Sequence, residues 1–165
     1  MSRRSSRCDG ANKGQHKETS IIRALTAKDR EAWSALWTDY LTFYETTLAQ
    51  EIYDSTWNRL LDPSEPIWGA LAELDGVPMG LTHFIYHRTG WAIAPACYLQ
   101  DLYVAPAARG TGLGRALIDH VTADAGSKGC ARVHWLTHET NVTARRLYDD
   151  VAVRAGFIQY RKATS

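Results

Sequence analysis

The sequence predicts a mixed α/β (α+β) chain in which helices cover one central sheet. Three observations carry that reading. Trp33, Trp37, Tyr40 and Tyr44 recur at steps of four, three and four, the period of a helix face. Two apolar runs, IWGALAEL and VPMGLTHFIYH, flank Asp75-Gly76, a strong short-range hairpin signal. The rest of the chain alternates strand and helix patterns, with ARGTGLGRAL standing between one such strand and its helix.

The elements follow in order. Residues 21–25 form a first short strand, and Asp29 then caps a helix. Leu36, Leu41, Phe43 and Leu48 broaden the aromatic stripe of that helix. A second helix runs over about residues 49–61 and stops at Asp62-Pro63, since a residue before proline disfavours helical dihedrals. After the hairpin, CYLQDLYV (97–104) alternates Leu102 and Val104 with Asp101 and Tyr103, reads as a strand, and ends at Ala105-Pro106. A helix over 112–127 sets Leu113, Ala116, Leu117 and Val121 on one face, with Gly126 and Gly129 marking its end. Residues 131–137 make another strand. Asn141 caps a helix that carries Ala144, Leu147, Tyr148, Val151 and Ala155 on one side, with Gly156 ending it. Residues 157–161 make the last strand. No repeat or linker intervenes, so residues 19–165 read as one domain behind a polar tail, 1–18, that is expected to be disordered.

Composition excludes several function classes. At 165 residues the chain can bury a core without staples. Nineteen basic residues against eighteen acidic ones leave no basic stripe, which argues against nucleic-acid binding. Cys8, Cys97 and Cys130 are odd in number and lack metal-ligand spacing, so no zinc site or disulfide framework is expected; reduced thiols in the cytoplasm are the simplest reading. The histidines show no metal spacing either, and His138, just after a strand, is the one placed to reach an active gap. No apolar run approaches the ~18 residues that span a bilayer, so no membrane partner is expected. The arginine- and serine-rich N-terminus lacks the apolar centre of a secretory signal, leaving a solvated tail, a leader or organelle targeting as its readings.

The glycine loop is the most informative stretch. Between strand 97–104 and the next helix, the amides of residues 109–114 face outward at a helix N-terminus, a natural nest for an anion. Arg109 and Arg115 add charge suited to phosphate oxygens. A Walker A loop would end in Gly-Lys-Ser/Thr, yet Gly114 is followed by Arg115-Ala116. The dinucleotide pattern GxGxxG also fails, because the glycines are Gly110, Gly112 and Gly114.

What the stretch matches is RxxGxG after a strand ending in V-x-P, with Leu102, Val104, Pro106, Arg109, Gly112 and Gly114 in place. A second block agrees: Asn141, then Tyr148 seven residues on, then Gly156-Phe157. Together these resemble the GNAT superfamily of acetyl-CoA-dependent N-acyltransferases over roughly residues 20–163. Within it, YLQDLYV followed by RGTGLG is similar to the diamine (spermidine/spermine) and thialysine acetyltransferases, which carry Glu-Asp where this chain has Gln100-Asp101.

The resemblance implies a mostly antiparallel mixed sheet with a splayed gap between two central parallel strands. It implies acetyl-CoA as co-substrate, held by Leu102, Val104, Arg109, Gly110, Thr111, Gly112, Leu113, Gly114, Arg115 and Asn141, and no metal. A primary amine is the implied acceptor: a polyamine, a lysine-like small molecule or a protein lysine. Tyr148 matches the family's general acid, and the Leu102 N–H the donor to the oxyanion. Asp101 is the candidate to attract the ammonium and help remove its proton, or else a paired or solvated strand carboxylate. Trp37 and Tyr40, with the rest of the stripe, suit ammonium recognition or simply fill the core. A homodimer is implied as well. Gln100 in place of glutamate keeps a rival open, a non-catalytic acyl-CoA sensor or interaction module with the same fold.

Overall fold

A computed structural model describes residues 19–164; the expectation of a disordered tail over 1–18, Cys8 included, lies outside them. Five strands form one sheet in sequence order: β1 (Ser20–Ala24), β2 (Ile67–Leu74), β3 (Val77–His87), β4 (Ala96–Val104) and β5 (Val133–His134). The first four pair antiparallel, and β4 with β5 is parallel. Asp75 and Gly76 both take positive φ, at 50° and 79°, the geometry of the tight turn foreseen between β2 and β3.

Helices α1 (Arg30–Phe43) and α2 (Gln50–Leu61) cover one face, and α3 (Leu113–Ser127) and α4 (Val142–Val151) the other. On the first face Trp33, Trp37, Trp57 and Leu60 pack on Leu71, Leu81 and Tyr103. On the second, Ile118 and Val121 of α3 meet Phe84, Cys97 and Leu99, while Leu113 and Leu117 meet Ala72. Trp33, fully buried, anchors this packing; its truncation to alanine costs about 3–5 kcal/mol by analogy with other core aromatics.

Besides a register shift between β2 and β3 at Ala72/Glu73, two irregularities of β4 shape the sheet. Opposite β3, His83 faces Asp101 but Phe84 faces Leu99, so Gln100 is an extra residue that bulges β4. Beyond the bulge β4 loses its parallel neighbour, since β5 pairs only at Cys97↔Val133 and Tyr98↔His134. The two strands diverge into the expected gap.

Four local expectations are corrected. Asp29 does not cap α1 with its side chain; its carboxylate instead accepts from the N–H and hydroxyl of Thr26, each at 2.8 Å, and tightens the 3-10 turn Ala27–Asp29. The strand foreseen over 131–137 pairs only at Val133 and His134, the divergence from β4 removing the other partners. The last helix ends at Val151 rather than carrying Ala155, because Val153 and Ala155 are exposed and another turn would bury nothing. Residues 157–161 form no strand; a two-residue β5 offers them little edge, and Phe157, Ile158 and Tyr160 each leave 70% or more of their surface exposed. Among the described residues no helix is long and apolar enough to cross a membrane.

Candidate functional site

The chain leaves β4 through a 3-10 turn, Pro106–Ala108, into the glycine loop. Gly110 (φ +82°) and Gly112 (φ +92°) adopt the left-handed conformation that other L-residues resist, and Gly112 is the N-cap of α3. None of the N–H groups of residues 110–115 finds a backbone acceptor among the described residues, and no acidic side chain occupies the first turn of α3. Such a row carries the positive end of the helix dipole and suits an anion. Gly114 serves a different need: a Cβ there would come within 3.2 Å of Leu147 Cδ2, so its lack of a side chain lets α4 lie close.

These amides form one wall of a cleft of about 910 Å³. The splayed part of β4, α4 and the end of α1 contribute the rest of its lining. Leu102, Val104, Arg109, Gly110, Gly112, Leu113, Gly114, Arg115, Asn141, Tyr148 and Tyr40 all line it. Three expected site residues do not. Thr111 turns its hydroxyl back to donate to the Ala108 carbonyl at 2.7 Å. Trp37 belongs to the core, stacked on Tyr40 with ring centroids 5.0 Å apart, because the inner side of α1 faces the sheet. Asp101 is buried beneath Tyr40, on the face of β4 turned toward α1.

Around Asp101 lies a chain of polar contacts. Tyr40 Oη donates to Asp101 Oδ1 at 2.8 Å, and His83 Nδ1 stands 3.0 Å from Oδ2. Trp33 Nε1 donates to His83 Nε2 at 2.8 Å. Burial, then the charge of Asp101, pushes the Tyr40 phenol far above its ordinary range, so it stays a phenol. From the sequence, His83 carried no expected role, only the lack of metal spacing it shares with the other histidines. The available signal was its position on the strand opposite Asp101, which needs the β3–β4 register to be seen.

On the other side of the cleft, burial pushes Tyr148 up to about 12, and its ring meets Trp135 edge-on at 5.5 Å. Asn141 Oδ1 accepts from the Ala144 N–H at 3.3 Å, the anticipated cap. Tyr44, read only as part of the stripe, also lines the cleft, its ring 5.8 Å from that of His138, which reaches the cleft as expected. Arg109 Nε donates to the Val104 carbonyl at 3.3 Å, while Arg115 is ion-paired with Asp150 of α4. Cys97 is buried, its thiol pushed up to about 12 by burial; Cys130 is partly exposed, and both are free. Among the described residues no three His, Cys, Asp or Glu side chains gather as a metal ion would require.

Residues 30–151 match the acetyltransferase (GNAT) family. The chain is 36% identical, over 144 residues, to a D-amino-acid N-acetyltransferase of Saccharomyces cerevisiae, covering 86% of this chain and 89% of the relative. It is 31% identical to the thialysine N-epsilon-acetyltransferase of Caenorhabditis elegans over 88 residues, 53% of this chain and 54% of that protein. Its backbone is similar to a crystal structure of a probable acetyltransferase, with TM-score 0.78 and 21% identity over 88% of this chain and 98% of the other. A similar likeness, with TM-score 0.76 and 19% identity over 91% and 99% of the two chains, is to an aminoglycoside N-acetyltransferase in complex with CoA. These two likenesses bear on the fold.

Proposed function

The chain belongs to the GNAT family of acetyltransferases, and from that premise we propose that it moves the acetyl group of acetyl-CoA to a primary amine by direct attack in a ternary complex. The observation that carries the proposal is the row of unpaired amides at residues 110–115, opening into the cleft that holds Tyr148 and the splayed part of β4. That row fits a pyrophosphate: its N–H groups supply the donors and the α3 dipole supplies the charge. Arg109 adds a cation at the rim; Arg115 contributes to the extent that it is shared with Asp150. Asn141 caps α4 and presents its amide to the pantetheine arm. A bound acetyl-CoA supplies an activated thioester at the gap.

The residues of this chain then divide the work. Leu102 lies where β4 has lost β5, and its N–H stabilises the oxyanion that develops on attack. Tyr148, held as a phenol, gives its proton to the departing thiolate. Asp101 provides negative charge beneath the acceptor side of the cleft. The names of the relatives favour a free amino acid or a lysine-like small molecule as acceptor, with polyamines and protein lysines as the other members of the class. Residues 19–165 act as one catalytic domain working in the cytoplasm, and the exposed segment after α4 packs against a second copy of the chain.

The test mixes protein, acetyl-CoA and a panel of amino acids, thialysine, polyamines and lysine peptides, and follows free thiol. Turnover with one class supports the proposal and names the acceptor. Gln100, in place of a family carboxylate, favours the rival of a non-catalytic acyl-CoA sensor. Calorimetric binding of acetyl-CoA with no thiol release across the panel would establish that rival, and no heat of binding would remove both.

A further inference from the structure

A primary ammonium with a pKa of ~10.4 is neutral in only about one molecule in 2,500 at pH 7, so the acceptor site needs somewhere to put a proton. Resting on the acetyl-transfer reading above, we propose that Tyr40 receives that proton from the acceptor ammonium while passing its own hydroxyl proton to Asp101, and that His83, fixed by Trp33, holds the receiving carboxylate in place.

The placement of the four groups carries the inference. Asp101 is buried and does not line the cleft; Tyr40 does, and its hydroxyl donates to Asp101 Oδ1 at 2.8 Å. Anything in the cleft therefore meets the carboxylate through the phenol. The far side of the carboxylate is held by His83. An indole N–H can only donate, so the 2.8 Å contact from Trp33 makes His83 Nε2 an acceptor. The imidazole proton is then on Nδ1, where it donates to Asp101 Oδ2 at 3.0 Å. Trp33 thus holds His83 in the one neutral tautomer that orients Asp101 and gives it no second site for an incoming proton.

No lysine or arginine among the described residues pairs with Asp101. A carboxylate buried without a cation is costly unless hydrogen bonds or a visiting cation compensate it. Here two hydrogen bonds come from the protein, with a third, from the Thr82 hydroxyl, fixing the Asp101 carbonyl. The open side leads through Tyr40 to the place where an ammonium would sit. Trp37 stacks on Tyr40, with an interplanar angle of 12°, and keeps the phenol from swinging away.

The step balances without any outside reactant. One N–H bond of the ammonium breaks as an O–H bond forms on Tyr40; the Tyr40 O–H bond breaks as another forms on Asp101 Oδ1. Tyr40 ends as it began, a neutral phenol, Asp101 is a neutral carboxyl, and the nitrogen keeps the electron pair that attacks the thioester. The proton leaves by the same path to water once the product has gone. Tyr40 is thus a catalytic residue, Asp101 the proton store, and His83 and Trp33 positioning residues.

The test follows kcat/KM for the best acceptor of the amine panel from pH 6 to 9.5, in wild type, Tyr40→Phe, His83→Phe and His83→Asn. Calorimetric affinity for acetyl-CoA verifies folding in each. Tyr40→Phe should lose about tenfold or more at pH 7. The deficit should shrink as pH rises toward the pKa of the amine, because neutral amine needs no relay. His83→Phe should lose activity with the same pH signature, and His83→Asn, which retains a donor near the Nδ1 position, should recover most of it. A deficit independent of pH, or none, overturns the relay; equal behaviour of the two His83 variants overturns the positioning role. If the wild-type chain releases no thiol with any amine, it is the acetyl-transfer reading that has failed.

Discussion

Arg23 of β1 grips Asp29 with both arms of its guanidinium, Nη1 and Nη2 each standing 2.8 Å from a carboxylate oxygen. The same side chain reaches Glu73 through Nε at 2.8 Å, so one arginine ties the edge strand to β2 and to the entry of α1. This bidentate pairing, first, and the Thr26 donors hold the Asp29 carboxyl well below the usual carboxylate range. Asp29→Asn should lower the stability of the chain by about 2–3 kcal/mol at pH 7, read from denaturant midpoints. Its folded-state pKa being depressed, the contribution of Asp29 is fully present above the unfolded value near ~3.9 and is lost as pH falls below it. The gap between wild type and variant should therefore be constant from pH 7 to about 5 and narrow below about 4.

Features that depend on one stretch of chain were legible in the sequence. The four-three-four spacing of Trp33, Trp37, Tyr40 and Tyr44 located α1, and Asp75-Gly76 located the hairpin, because helix periodicity and turn chemistry are local. The glycine loop was legible for the same reason. What escaped depends on which strand lies beside which. The bulge at Gln100 exists only relative to β3, and it decides that Asp101 turns toward α1 and His83. Residues 157–161 read as a strand, but whether an edge awaits them is settled elsewhere, in how little of β5 stays paired to β4.

Arg109 stands at the rim of the cleft, tethered to the Val104 carbonyl yet exposed. Arg109→Ala should raise the KM for acetyl-CoA roughly tenfold, in keeping with one charge-assisted contact, and leave kcat within about twofold. Because solvent reaches the contact, the difference should shrink as salt is raised from about 0.05 to 0.5 M. Initial rates across acetyl-CoA concentrations at the two salt levels check both points.

Tyr148 should behave differently. Burial pushes its phenol up to about 12, so between pH 6 and 9 it remains a proton donor. Removing that hydroxyl in Tyr148→Phe deletes the donor while keeping the ring against Trp135. The expected result is a fall in kcat of about 100-fold with little change in calorimetric affinity for acetyl-CoA. Equal kcat in the two proteins would exclude Tyr148 as the acid and leave the thiolate to depart unassisted.

The segment after α4 supplies the last prediction. Val153, Phe157, Ile158 and Tyr160 are apolar and exposed, and they follow one another within eight residues of chain. A cluster of exposed apolar side chains of this kind marks a surface that associates with another chain. If two copies abut these segments, each buries the other's aromatic residues. Wild-type protein should then show by light scattering twice the chain mass of 18.5 kDa, and a chain ending after Ala152 should show the single mass. Phe157→Asp combined with Ile158→Asp should shift the equilibrium the same way while leaving the segment's length intact, since a charge buried at such an interface lacks a partner. The cleft is lined by β4, α3, α4 and the end of α1 of one chain, so acetyl-CoA affinity should survive the change of mass. A wild-type chain of single mass at micromolar concentration would leave these side chains facing water and refute the pairing.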